Sequence, residues 1–355
     1  MPDGTGPTPV RGHSVAGVRW LSARLTNLTL FVALLVVFGT GAGAVASGTA
    51  AGRWVVLGHG AAGLLVVVLI PWKARVVRAG LRRARASRWL SLLMAACVVA
   101  ALLLGIGYST GVVRSVAGLD GLWLHVAIAL GVVPVLLWHL AARWIRPRRT
   151  DLSRRTALRV GALAVAAAGL YAASAAAVEA TGLPGARRRF TGSYERGSFD
   201  PPAMPSTIWL NDTAPDLDPG TWRLTVADSA GTRQLALADL ADRTVTRRVL
   251  LDCTSGWYAE QDWTGVPVRD LIGGPGAARS LLVRSRTGYW VRLPADDLDQ
   301  LLLATGVGGR PLSRGHGYPL RLVAPGRRGF WWVKWVDRVE WSAAPSWWQP
   351  PFPVN

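Results

Sequence analysis

The sequence predicts two unlike halves: an N-terminal all-α transmembrane bundle of five helices, and a C-terminal α+β domain that is mainly β. Three observations predict this. Five segments of the first half are apolar and uncharged over lengths that suit a bilayer, which takes about 20 residues. The connections between them alternate between arginine-rich and arginine-poor. From about residue 186 Gly, Pro, Asp and Arg rise and the apolar runs shorten to strand length.

The five segments are 27–48, 54–72, 89–111, 121–141 and 160–178. The first exceeds the apolar stretch of an ordinary secretory signal and follows a long N-terminus, so it is expected to stay as an anchor. Basic residues collect in the N-terminal tail (Arg11, Arg19, Arg24). They collect again after the second segment (Lys73, Arg75, Arg78, Arg82, Arg83, Arg85, Arg88) and after the fourth (Arg143, Arg146, Arg148, Arg149, Arg154, Arg155, Arg159). The other two connections hold Arg53, and Arg114 with Asp120. Positive loops stay in the cytoplasm. The expected protein is thus a multi-pass protein of the cell membrane. Its residues 1–26 form a cytoplasmic tail, 27–180 the transmembrane domain, 181–189 a linker, and 190–355 an extracytoplasmic domain.

The formal charge of +19 invites a nucleic-acid reading, but its distribution argues against one. Residues 1–159 carry 19 Lys/Arg against 3 Asp/Glu, and the rest of the chain is nearly balanced. The excess therefore orients helices. The two cysteines, Cys97 in an apolar run and Cys253 in the polar half, are placed too differently to predict a disulfide.

Three histidines fall inside the apolar segments. His59 lies near the start of the second, and His125 and His139 lie in the fourth. Both segments run from outside to inside, so His59 and His125 share a depth in the outer leaflet. Two imidazoles at one depth on facing helices suit the axial positions of a haem b, and Gly58, Gly60, Gly63 and Gly131 offer room nearby. His139 lies on nearly the same helix face as His125, but no other intramembrane histidine is expected at its depth, so it is the lesser candidate. The alternative is that these histidines serve helix–helix hydrogen bonds. Helix number and histidine placement resemble the small b-type cytochrome domains of membrane oxidoreductases.

Ser153-Arg154-Arg155-Thr156-Ala157-Leu158 precedes the fifth, alanine-rich segment and resembles a twin-arginine export signal. A plain positive-inside anchor is the alternative.

In the polar half, runs at 221–226, 247–253, 280–285, 289–293 and 318–325 read as strands, and 235–242 and 294–304 as short helices. No internal repeat is apparent. Tryptophan is abundant, 18 in all, and Trp335 and Trp341 are expected in the core.

Three stretches carry a specific pattern: LLDCTSGWYAEQDWTGVPVRDLI (250–272), SRTGYWVRLP (285–294) and GHGYPLRLVAPGRRGFWWVKWVDRVE (315–340). Together they read Cys…Gly-Trp…Trp-x-Gly-x-Pro-x-x-x-Leu, then His-Gly-x-Pro-x-Arg, then Val-Lys-Trp-Val. In this order they resemble the oxidoreductase molybdopterin-binding domain of the sulfite oxidase family, which includes the catalytic subunit of the periplasmic protein-methionine-sulfoxide reductase. The likeness spans about 190–350. It implies a sulfite-oxidase-like fold and a Mo-molybdopterin cofactor, with Cys253 as metal ligand and catalytic centre. A thiolate suits a metal already bound by soft dithiolene sulfurs. The resemblance also assigns cofactor contacts to Thr287, His316, Arg321, Trp332, Val333 and Lys334, and loosely to Asn211. His316 departs from the Asn of the reductase subfamily. Arginine is well matched to the cofactor phosphate.

The resulting expectation is a membrane-anchored molybdenum oxidoreductase. It transfers an oxygen atom to or from a small molecule and exchanges electrons through the helical domain with a quinone or another carrier. Arg284 and Arg286 are candidate substrate contacts. An S-oxide reductase is the alternative within the class. A redox-inactive membrane receptor using the fold as a binding module is the alternative outside it.

Overall fold

The computed structural model describes residues 20–81, 88–142, 148, 151, 153–208 and 212–349. Asn211, Arg11, Arg19, Arg82, Arg83, Arg85, Arg143, Arg146 and Arg149 lie outside the described residues.

The first half folds into α1 (Ala23–Ala46), α2 (Gly52–Leu81), α3 (Arg88–Thr110), α4 (Gly121–Ala142) and α5 (Arg154–Ala180). All five are long and apolar enough to cross a membrane. The helices outrun the apolar segments where the flanking sequence favours helix. α2 continues through the basic stretch after Trp72, since Lys, Arg and Ala are good helix formers. α5 starts at Arg154 because Ser153 caps it, its Oγ accepting from the Thr156 N–H at 3.3 Å. Arg24 at the start of α1 forms a two-bonded pair with Asp151, just before α5, at 2.8 and 2.9 Å. These two helix starts therefore lie at one end of the bundle.

α1 packs on α2, α3 on α4, and α5 on α2. The two hairpins α1–α2 and α3–α4 repeat one plan. In the first, the His59 ring donates Nδ1–H to the Val37 carbonyl of α1 and packs against Gly41. In the second, His125 donates Nδ1–H to the Ala101 carbonyl of α3 and packs against Gly105. Nearer the other end, Lys73 of α2 donates to Asn27 of α1, and His139 of α4 sits 3.5 Å from Ser91 of α3. The sequence hides this repeat, because identical residues are few and what recurs is the position of a carbonyl, a glycine and a polar group.

A two-stranded ribbon, β1 (Ser115–Val116) and β2 (Leu119–Asp120), links α3 to α4. The second half contains β3 (Tyr194–Glu195), β4 (Arg223–Asp228), β5 (Gly231–Ala236), β6 (Val245–Asp252), β7 (Trp257–Pro267), β8 (Ser280–Ser285) and β9 (Trp290–Pro294). It continues with β10 (Leu302–Val307), β11 (Arg310–Pro311), β12 (Arg321–Val323) and β13 (Val336–Ser342). One sheet runs β11-β10-β7-β3, with β12 also paired to β10 and β6 to β7; the other runs β5-β4-β13-β8-β9. β7 shows why: Trp257, Ala259, Gln261 and Trp263 alternate inward while Tyr258, Glu260 and Asp262 face out. Leu224, Val226, Leu281, Val283, Val291 and Val339 meet them from the second sheet in one core.

Three expectations are corrected. The helix expected over 294–304 is a short 3-10 turn at Ala295–Gln300 followed by strand β10. Leu302, Leu303 and Ala304 are consecutive buried residues of a central strand, a pattern that does not separate strand from helix. The helix expected over 235–242 is also a 3-10 turn, Ala238–Arg243. Of 318–325 only Arg321–Val323 pairs as strand, since Pro319 cannot donate to a ladder. In the segment 181–189, Arg188 donates to the Ser109 carbonyl at 2.8 Å, and Gly185 leaves no room for a side chain against Ser109 and Thr110. Trp335 is buried as expected, while Trp341 is half-buried.

Candidate functional site

β6 and β7 form a hairpin in which Asp252 faces Tyr258, and Cys253 opens its tip. The Cys253 N–H donates to the Trp257 carbonyl at 2.8 Å, and the Gly256 N–H returns to the Cys253 carbonyl at 3.2 Å. Gly256 has φ +93°, so the tight tip requires glycine there. The Cys253 sulfur lies 3.2 Å from Ser255 Oγ, which lies 3.1 Å from Thr207 Oγ1. Neighbouring Asp252 is buried and fully engaged, taking hydroxyls from Thr191 and Ser193 at 2.7 and 2.6 Å and Arg189 Nε at 3.2 Å. Arg328 braces the turn by donating to the Cys253 carbonyl at 3.1 Å. Gly329 presses on Cys253 so closely that a Cβ would stand 3.0 Å from its Cα.

Three basic groups gather beside this tip. Arg321 is 3% exposed, donates Nη1 to the His316 carbonyl at 3.1 Å, and lies 5.3 and 5.6 Å from the Trp263 and Trp332 ring centroids. Its Nε is buried without a hydrogen-bond partner among the described residues. Burial lowers its pKa to about 10. Lys334 donates to the Thr207 and Gly315 carbonyls at 2.8 and 2.5 Å. Burial first, and then Arg321, lower its pKa to about 7. His316 is lowered to about 4 by burial and then by Arg321 and Lys334. Its Nε2–H donates to the Met204 carbonyl at 3.1 Å, and its Nδ1 accepts from Ser313 at 2.8 Å. That assignment fits a neutral ring with both nitrogens used. Gly317, at φ +110°, separates Arg321 from Lys334; a Cβ there would stand 3.1 and 3.2 Å from theirs.

This cluster fits an anionic cofactor. Arg321 is buried with half-buried Lys334 beside it, burial depresses both pKa values, and the guanidinium keeps an unused donor among the described residues. Trp332 and Val333 are buried beside them. Thr287 stands apart in its bonding, donating to Asp212 at 3.0 Å and lying 3.0 Å from Ser285 Oγ. Arg284 is exposed, and Arg286 pairs with Asp337 at 3.8 Å. Neither bonds to Cys253, His316, Arg321 or Lys334 among the described residues. Thr207, Ser255, Asp252 and Arg328 escaped the sequence reading. Only Arg328 had a signal, its place in the APGRRGF run.

In the helical half the His59 and His125 rings stand 6.0 Å apart between centroids at 89°. The glycines that admit them are Gly41 and Gly105. Of the four expected from sequence, Gly60 packs on Tyr171, Gly63 nears Leu102, Gly58 nears Thr40, and Gly131 meets nothing within 4 Å. The halves join at Tyr108 of α3, which donates to the Gly256 carbonyl at 2.9 Å and accepts Tyr194 Oη–H on its own carbonyl at 2.7 Å.

Residues 211–348 match the oxidoreductase molybdopterin binding domain. The chain is 29% identical over 174 residues to mitochondrial sulfite oxidase of Rattus norvegicus, covering 38% of this chain and 32% of that protein. It is 30% identical over 109 residues to the protein-methionine-sulfoxide reductase catalytic subunit MsrP of Xanthomonas campestris, covering 25% and 34%. The sulfane dehydrogenase SoxCD of Paracoccus pantotrophus aligns in structure over 37% of this chain and 40% of its own, at 24% identity and a TM-score of 0.34. The chain thus spans about a third of the length of these two curated relatives. Residues 211–348 thus form a domain similar to the molybdopterin-binding oxidoreductase domains of these sulfite oxidase and sulfoxide reductase relatives.

Proposed function

We propose that the chain is a membrane-anchored oxidoreductase that transfers an oxygen atom at a molybdenum ligated by Cys253. The observation that carries this reading is the set formed by Cys253 with Arg321 and Lys334. It joins a soft ligand at a hairpin tip to a buried arginine and a half-buried lysine, both with pKa values lowered by burial. Bound there, Mo-molybdopterin supplies a two-electron change coupled to gain or loss of one substrate oxygen. Arg321 and Lys334 would hold its phosphate. Trp332 and Val333 would offer backbone groups. His316 contributes through its carbonyl, which aims Arg321, because both ring nitrogens are committed. Thr287 and Asn211 stand as weaker contacts.

His59 and His125 fit a haem b held between the hairpins. Each spends Nδ1–H on a backbone carbonyl, which leaves Nε2 as the ligand atom and fixes the ring, the usual support of a ligating histidine. These two imidazoles, 6.0 Å apart between ring centroids, would hold the haem iron. At the position equivalent to His139 the first hairpin carries Lys73, so a second pair does not form. Electrons would pass between a quinone or other carrier and the Cys253 site through this helical half.

The helical half would sit in the cell membrane with its N-terminus in the cytoplasm and the β half outside. Arg154-Arg155 would send the folded, loaded domain through twin-arginine export. Consistent with that route, α5 has a mean hydropathy of 1.7 against 2.5 for α3.

A substrate screen with redox dyes in both directions tests the reaction. Sulfite oxidation or S-oxide reduction by wild type, absent in Cys253→Ser, supports it. No turnover of either class by molybdenum-loaded protein sinks it.

A further inference from the structure

Where the helical half meets the β half, the turn after α1 is pressed onto the loop that follows β12. Ser47 forms an antiparallel bridge with Arg327. A Cβ on Gly48 would stand 2.8 Å from the Gly326 carbonyl oxygen. The Ala46 carbonyl, last of α1, accepts Trp331 Nε1–H at 3.2 Å, so the helix terminus is capped and shows little negative charge to the space beside it. That space is a cavity of about 590 Å³, lined by Gly48, Arg189, Arg247, Arg248, Asp252 and Arg327 among others. Its size suits a small ligand or a headgroup.

The charges of the wall are unequal. Arg189 pairs with Asp252, Arg248 with Asp262 and Arg327 with Asp297. Asp252 is buried and saturated by its four partners, so it offers no lone pair to a ligand. Arg247 differs. Its Nη1 donates only to the Asp299 and Gln300 carbonyls, each at 3.2 Å, and no carboxylate neutralises it among the described residues. The wall therefore presents four guanidinium groups and keeps a net positive charge. Guanidinium forks match phosphate oxygens in pairs.

The position of the cavity selects the phosphate's source. Gly48 lies directly beyond the end of α1, where a membrane helix leaves the hydrocarbon. Trp54, 74% exposed on the first turn of α2, is the residue type that settles at the membrane–water boundary. Val249 and Leu250 add an apolar edge to the wall. We propose that this cavity binds the phosphate-bearing headgroup of an anionic membrane lipid, with Arg247 as the deciding cation. The bound lipid would tie β6, and so the Cys253 hairpin, to the turn between α1 and α2. The proposal rests on the membrane reading above but needs neither molybdenum nor haem.

The test uses the purified full chain in detergent, titrated with dioctanoyl phosphatidylglycerol, dioctanoyl phosphatidylcholine or inorganic phosphate. Tryptophan fluorescence and native mass spectrometry report binding. Resistance of the protein to carbonate washing of membranes is scored separately, so a failure of the membrane reading is told apart from a failure of the site. The expected result is a preference of about tenfold or more for the glycerol lipid over the choline lipid, most of it lost in Arg247→Gln, as a charge-assisted bond predicts. Arg247→Lys keeps the charge but not the fork, and should retain part of the preference even if the Gln variant fails to fold. Equal binding of the two lipids, or an unchanged preference in both variants, overturns the proposal. So does inorganic phosphate that binds as tightly as the glycerol lipid and displaces it fully, which makes the cavity a free-phosphate site.

Discussion

The His59/His125 pair and the Cys253 cluster are both polar sites enclosed by protein, but they are built in opposite ways. The histidine pair is made twice from one plan, a helix carbonyl and a glycine on one helix receiving a ring from the next. The Cys253 cluster draws on segments that share no plan: the hairpin tip after β6, the chain around Thr207, the turn holding His316, strand β12 with Arg321, and Lys334. The first is a pair of imidazoles, each bonded to a backbone carbonyl of the preceding helix; the second sets Arg321 and Lys334 beside Cys253. Duplication thus yields two equivalent positions, whereas the cationic cluster is gathered from across the fold.

Each difference can be broken by substitution, and the largest effect is expected at the pair. His59→Ala and His125→Ala should each abolish the b-type absorption of the purified protein, and to the same degree, because the hairpins are equivalent. His139→Ala should leave it in place. Spectra of the three variants from haem-sufficient cells decide this; a colourless wild type removes the haem, and loss only in His139→Ala removes the pair as its ligands.

Export separates the halves in another way. Arg154→Lys with Arg155→Lys keeps the charge at the start of α5, so orientation by positive loops should survive while recognition of the arginine pair fails. Protease added outside the cells should then no longer cut the β half. If the domain still arrives outside and loaded, the arginines serve only as a topology anchor.

The cationic cluster should respond in opposite directions with and without cofactor. Arg321→Met removes a buried charge lacking its partner, so the cofactor-free protein should melt higher by a few degrees, about 2–4 °C per kcal/mol for a domain of this size. The same change should lower cofactor retention by about tenfold or more, as loss of a charge-assisted bond predicts. Melting curves on loaded and unloaded protein check both signs. A loss of stability in the unloaded form would mean that Arg321 is paired in a way the geometry does not show.

The smallest effect is a pH dependence. His316 titrates near 4 when folded and near 6.5 when unfolded, so between these values the unfolded chain holds more protons. Stability should therefore fall as pH drops from 6.5 to 4, and His316→Asn, neutral throughout, should flatten that slope. An unchanged slope would place the acid sensitivity elsewhere.

How much of this was legible in the sequence also follows the contrast. The five helices were readable because apolar length and alternating arginines leave few alternatives, and the depth of His59 and His125 followed from counting along them. Gly41 and Gly105, which face the two histidine rings in space, were not legible, since they lie on the preceding helices. In the β half, short apolar runs revealed β4, β6, β8 and β9 but not β7. The same reading failed at Leu302–Ala304, where a central strand is buried without alternation. Cys253, Arg321 and Lys334 were named through a resemblance, and nothing in their spacing would have brought them together. Thr207 was invisible because its role depends on its carbonyl reaching Lys334, which any residue type could supply.

The central claim is that Cys253 holds a molybdenum at the tip of the β6–β7 hairpin. It is tested most directly by quantifying molybdenum and dye-coupled turnover together in wild type and Cys253→Ser, purified from cells that load other molybdenum enzymes. The account predicts stoichiometric metal and turnover in wild type, and loss of turnover in the folded serine variant, whose harder oxygen ligand alters the metal's properties. Wild type without molybdenum, or a serine variant that keeps more than about a few per cent of the wild-type rate, would contradict it.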